Sequence, residues 1–168
     1  MATATENLIS WLKDAHAMEQ SAISILGKQS TRLQHYPRME AKVKEHLEVT
    51  RRQAEQVESC LKRHDTDTSA TKDLMGRFTG TMNALGSSTA GDEAVKAHMA
   101  DYAFEHMEIA SYRILIAAAK RAGDVKTQKA CEEILTQEEE MAHWLGQELA
   151  AMTQTYLSKS ETGEPAKR

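Results

Sequence analysis

Aromatic side chains are scarce in this chain, 5% of its residues, and proline occurs only twice. With 27% charged residues and eight glycines, that scarcity argues against a β-sandwich, a barrel or a disordered chain and favours long helices. Two cysteines are too few for a disulfide framework; Cys60 and Cys131 both fall on apolar stripes, where reduced, buried thiols of a cytosolic protein belong. No apolar run approaches the roughly 20 residues of a membrane span. Met1 to Ser10 has neither the basic start nor the continuous apolar stretch of a signal peptide. Positive charge is not in excess either: the net charge is −4, and the basic residues are scattered, Arg51-Arg52 being the densest local pair. Nucleic acid is therefore not an expected partner. A soluble, cytoplasmic protein without membrane partners is expected.

What remains is helical periodicity on a chain of 168 residues, enough for one domain with a useful core. A first helix is predicted from an N-cap at Thr5 to about Gln34, a second from Pro37 to about His64, since proline suits the first turn of a helix. A third runs from Asp92 to a stop at Gly123, preceded by Lys120 and Arg121. A fourth, capped by Asp124, continues to about Leu157. Residues 65–91 are predicted as a long crossover with a short helix using Leu74, Phe78, Met82 and Leu85; Gly76 and Gly80 inside it weaken its own propensity. The bundle domain thus spans 1–157, and residues 158–168, with Gly163 and Pro165, are expected to form a disordered tail. Two antiparallel helical hairpins joined by a crossover make an all-α, ferritin-like four-helix bundle; the alternative is a dimer whose hairpins pair between chains.

Each apolar seam is interrupted near its middle. The first reads Leu8, Leu12, Ala15, Glu19, Ala22, Leu26, and the second Met39, Val43, His46, Thr50, Gln53, Val57, Cys60. The third reads Val95, His98, Tyr102, Glu105, Ile109, Tyr112, Ile116, Ala119, and the fourth Cys131, Ile134, Glu138, Met141, Leu145. A lone buried carboxylate costs several kcal/mol unless it is protonated, paired or metal-bound. Reflection through the turn at Gly123 puts Glu138 level with Glu108, and Glu105 level with Met141. Reflection through the loop near residue 35 puts Glu19 within a turn of Thr50 and Gln53, with His46 one turn beyond. Several intrusions aligned within each hairpin are the trace of a metal site between helices. The imidazoles of the usual Glu-x-x-His pairs are missing, Gln53 and Met141 standing in their slots. His46 alone among the nearby histidines shares a core seam.

The stretches Asp14-Ala15-His16-Ala17-Met18-Glu19, His46-Leu47 with Thr50 and Gln53, Phe104-Glu105-His106-Met107-Glu108-Ile109-Ala110 and Met141-Ala142-His143-Trp144-Leu145 resemble the YciE/YciF family of ferritin-like bacterial proteins. The resemblance extends from the first helix through Trp144 and is closer to YciE than to YciF. It implies association with stress responses, a bundle that dimerises, and Glu19, Glu105, Glu108 and Glu138 as metal ligands. The family commonly carries Glu one or two positions before Thr50; here those positions are Val49 and Glu48.

The expected function is that of a ferritin-like stress-response protein with a carboxylate-rich metal site at Glu19, His46, Gln53, Glu105, Glu108 and Glu138. Hard oxygen ligands suit iron, with manganese or magnesium as alternatives. No catalytic residue is assigned. A metal-dependent oxidoreductase of ferroxidase type is the activity such a site would support, and four acids without Glu-x-x-His count against oxygen activation. The rival expectation is a non-enzymatic structural or interaction protein with a degenerate site and no metal. Trp11, Ile9 and Met107 lie beside the seams, and such apolar surface leads us to expect a homodimer.

Overall fold

A computed structural model of the protein describes residues 1–66, 76, 78, 80 and 91–167. Helix α1 spans Ala4–Gln29, α2 Pro37–Lys62, α3 Glu93–Ala122 and α4 Val125–Thr162. No strand occurs among the described residues. The cap of α1 is Thr3 rather than Thr5. Thr3 has a glutamate three positions on: its hydroxyl accepts from the Glu6 N–H at 3.1 Å, and the Glu6 carboxylate accepts from the Thr3 N–H at 2.7 Å. This reciprocal box satisfies two helix-end donors at once. The helix ends at Gln29, short of Gln34, and the turns that follow bury Leu33 and Tyr36. Pro37 opens α2 as its first residue. Gly123 closes α3 at φ 75°, a left-handed conformation that costs glycine little. The Asp124 carboxylate then accepts from the Thr127 N–H at 3.0 Å to start α4.

The helices pack as a square, α1 on α2, α3 on α4, α1 on α3 and α2 on α4. Cross-links between the hairpins set their relative height, which the reflection argument left open. On one side Gln29 bonds Asp101 and Glu19 bonds Tyr112. On the other, Arg38 pairs with Glu148, Gln53 with Gln137, Gln56 with Glu133 and Arg63 with Thr127. In both series one number rises as the other falls, so these neighbours are antiparallel. One apolar cluster gathers Leu8, Leu12, Leu61, Tyr112, Leu115 and Ile134; the other gathers Leu26, Tyr36, Met39, Val43, Leu145 and Met152. Along α2 and α4 the polar positions fall between the two.

Two boundaries differ from expectation. α4 continues through Thr162, five residues past Leu157, and stops at Gly163 with φ 74°. The segment beyond, expected as a disordered tail, folds back: the Tyr36 hydroxyl donates to the Ala166 carbonyl, and the Ala94 N–H donates to the Lys167 carbonyl at 3.2 Å. The expected crossover, with its short helix, lies outside the described residues apart from its two ends and residues 76, 78 and 80. Among the described residues no helix is long and apolar enough to cross a membrane.

Candidate metal centre

All six residues singled out from the sequence are buried in the bundle: Glu19 on α1, His46 and Gln53 on α2, Glu105 and Glu108 on α3, Glu138 on α4. Their helices bring three of them together most closely. One ligand atom each from His46, Glu105 and Glu138 lie within 4.8 Å of one another. The Nε2 of His46 is 3.2 Å from Glu105 Oε1 and 3.8 Å from Glu138 Oε2. Glu105 and Glu138 face each other across this group, and the charge of Glu105 adds to the burial that raises Glu138. Glu19 and Glu108 stand further out, close enough to act electrostatically on Glu138 and on each other but outside the tight group of ligand atoms. Gln53 donates its amide to Gln137, the residue before Glu138, at 2.9 Å.

Burial dominates the electrostatics. It pushes the carboxyls of Glu19, Glu108 and Glu138 well above the ordinary range, with repulsion between the acids adding to it. Glu105 rises to about 8, again through burial first. Burial has the opposite effect on His46, holding it below its ordinary value despite the negative charge of Glu138 and Asp101, because desolvation disfavours the cation. His46 is therefore neutral near pH 7, with a lone pair on one ring nitrogen. Several oxygens in this layer have no hydrogen-bond donor: Glu19 Oε2, Gln53 Oε1, Glu105 Oε2, Glu108 Oε1 and both oxygens of Glu138. Orphaned buried acceptors are rare in folded proteins and call for a proton or a cation. A hard metal ion fits this donor set, mostly carboxylate oxygen with one neutral imidazole.

Two residues of this layer were not assigned from the sequence. Tyr112, fully buried on α3, donates its hydroxyl to Glu19 Oε1 across the bundle. Asp101, one turn before Glu105, is buried, accepts from the Gln29 amide at 2.9 Å, and is raised to about 7 by burial. The i, i+4, i+7 spacing Asp101, Glu105, Glu108 was the available signal, since it places three acids on one helix face. Thr50, on the same seam as His46 and Gln53, is buried and donates its hydroxyl to the His46 carbonyl in its own helix. His16 is buried beside Glu58, while His106 and His143 line an exterior groove between α3 and α4. Of the run Glu138-Glu139-Glu140, only Glu138 is buried.

Residues 3–158 match a protein family described as a domain of unknown function, DUF892. The chain is similar to a crystal structure from Xanthomonas campestris pv. campestris, with a TM-score of 0.83 and 35% identity over 95% of this chain and 99% of the other. It also resembles the E. coli stress protein YciF, with a TM-score of 0.77 and 23% identity over 89% of this chain and 96% of that one. YcfI from Rhodopseudomonas palustris aligns with a TM-score of 0.73 and 23% identity over 86% and 94% of the two chains. The last two likenesses establish the shared fold. With the family match running along nearly the whole bundle, and a 35% identical relative aligned over almost its full length, the chain belongs to the DUF892 family.

Proposed function

We propose that this protein is a metal-binding stress-response protein whose site lies in the polar layer of the bundle, with iron the foremost ion and manganese or magnesium as alternatives. The observation that carries the reading is the set of buried, unpartnered carboxylate oxygens around His46. Among the described residues the only salt-bridge partner of Glu105 and Glu138 is His46, so no lysine or arginine neutralises them. His46 through Nε2, Glu105 and Glu138 would hold the ion. Glu19 and Glu108 supply further carboxylates and Gln53 a neutral oxygen. A bound iron would contribute Lewis acidity and one-electron redox chemistry. The chain's own part is to orient and to exclude water: Tyr112 aims Glu19, and the apolar clusters seal the layer on either side.

The link to stress responses rests on fold kinship with the E. coli stress protein YciF, and within that group we place the chain nearer YciE. Two free, buried thiols are in keeping with a reducing, cytoplasmic setting. Metal analysis of protein purified without added metal tests the site. We expect at least one ion per chain, and one fewer in Glu19→Ala and Glu138→Ala variants that keep their helical spectrum. Wild-type protein that stays metal-free after incubation with ferrous, manganous and magnesium salts would refute it.

A second reading, a non-enzymatic structural protein with a degenerate site, is favoured by one observation. Tyr112 donates its hydroxyl to one oxygen of Glu19, so that part of the layer is held without a cation. We further propose a homodimer. Trp11, Met99 and Ile114 are 40%, 47% and 52% exposed, large apolar side chains that a second copy would cover. Light scattering should return twice the chain mass at tens of micromolar; a monomer mass there contradicts the dimer.

A further inference from the structure

A small void opens in the α1–α3 wall of the bundle, lined by Ala22, Ile25 and Leu26 on one side and Asp101, Phe104 and Glu105 on the other. Its volume of about 10 Å³ is close to the space one water-sized particle needs. Four of its lining residues are apolar, so the polar groups facing it are two carboxyls one helical turn apart. Asp101 is 3% exposed and Glu105 equally so, and each keeps one oxygen without a donor, Asp101 Oδ2 and Glu105 Oε2. The other Asp101 oxygen is held by the Gln29 amide at 2.9 Å, and the carbonyl oxygen of that same amide, Gln29 Oε1, is itself buried and unpartnered. Two carboxyls with orphaned oxygens therefore line the void, and the unpartnered carbonyl of Gln29 belongs to the amide that holds Asp101.

We propose that Asp101, Glu105 and the side-chain carbonyl of Gln29 form a second cation site on the α1 side of Glu105, taking one small divalent ion through oxygen atoms alone. Magnesium and manganous ions accept an all-oxygen shell and bind at about 2.0–2.2 Å, within the reach of such a space. Five buried acids, Glu19, Asp101, Glu105, Glu108 and Glu138, share the layer, and among the described residues no lysine or arginine forms a salt bridge with Asp101 or Glu105. The site shares Glu105 with the centre proposed above and so rests on that reading, but its other ligands, Asp101 and Gln29, are not among those proposed for the first ion.

The test counts manganous ions bound per chain, by equilibrium dialysis of the full-length protein with electron paramagnetic resonance of the free ion. Wild type should bind two. Asp101→Asn, which keeps an acceptor for the Gln29 amide, should bind one, and Gln29→Leu, at a half-buried position, should weaken the second ion at least tenfold and leave the first unchanged. Far-UV circular dichroism establishes that each variant is folded. One ion in wild type and in both variants overturns the second site and leaves the first standing. Two ions retained by Asp101→Asn, or both lost by a folded Asp101→Asn, also overturn it. No ion bound by wild type removes both proposals together.

Discussion

Raising the pH from about 4.5 to about 8 should destabilise the metal-free protein, the reverse of what paired carboxylates do. Glu19, Glu108 and Glu138 are held well above the ordinary value of 4.5, Glu105 at about 8, and Asp101 at about 7 against an ordinary 3.8. A carboxyl with a raised folded pKa binds its proton more tightly in the native state than in the unfolded chain. Its contribution is complete below the unfolded value and disappears as the pH climbs through the folded one. For Asp101 the displacement from 3.8 to about 7 corresponds to on the order of 4 kcal/mol. At this chain length each kcal/mol moves the melting temperature by about 2–4 °C. His46 opposes the trend, because its depressed value penalises the native state below its ordinary 6.5, and the fall in stability should therefore steepen above that pH. Melting curves in chelator across this range are the measurement. A melting temperature that holds level or climbs toward pH 8 would show that the acids are paired in some other way.

Replacing Glu138 by Gln should make the metal-free protein more stable at pH 8 and remove the part of its metal response that comes from the ion beside His46. The amide cannot ionise, so the burial penalty that lifts Glu138 vanishes, while the side chain keeps its size. In wild type a divalent ion at a hundredfold excess over its Kd adds about 2.7 kcal/mol, roughly 5–10 °C in melting temperature at this size. That gain should appear near neutral pH and fade in acid, because protons and the ion compete for the same oxygens. In Glu138→Gln the gain due to the ion beside His46 should be absent at every pH. A variant that melts lower than wild type without metal, yet gains the same increment with ferrous or manganous ions, would place the ion elsewhere.

Much of this was legible in the residues. The seams of α1, α2 and α4 are buried where the periodicity put them, including Glu19, His46, Gln53 and Glu138. Pro37, Gly123 and Asp124 mark the turns for reasons local to each residue. α3 was harder because it carries apolar side chains on every face. Ile114 is half exposed, and the stripe drawn through Tyr102 and Ile116 is displaced by one residue from the buried one through Asp101 and Leu115. That displacement hid Asp101. The bond from Tyr112 to Glu19 needed the relative height of the two hairpins, which no pattern within one hairpin contains. The return of residues 164–167 is made by main-chain carbonyls of Ala166 and Lys167, to which side-chain composition is blind. Gly163 and Pro165 read as an ordinary loose end.

The antiparallel square has one more consequence, for the field inside it. Each helix carries a macrodipole, positive at its start and negative at its end, felt within about one turn of either terminus. Glu19, His46, Glu105 and Glu138 all sit several turns from the ends of their helices. Neighbouring dipoles point in opposite directions, so at mid-height their contributions cancel. The backbone thus offers these carboxylates neither the help a helix start gives an anion nor the repulsion of a helix end. The potential at the heart of the bundle is set by the side chains and turns negative as their carboxyls ionise. Anions are turned away from this layer, and a proton or a metal cation is what lowers its energy.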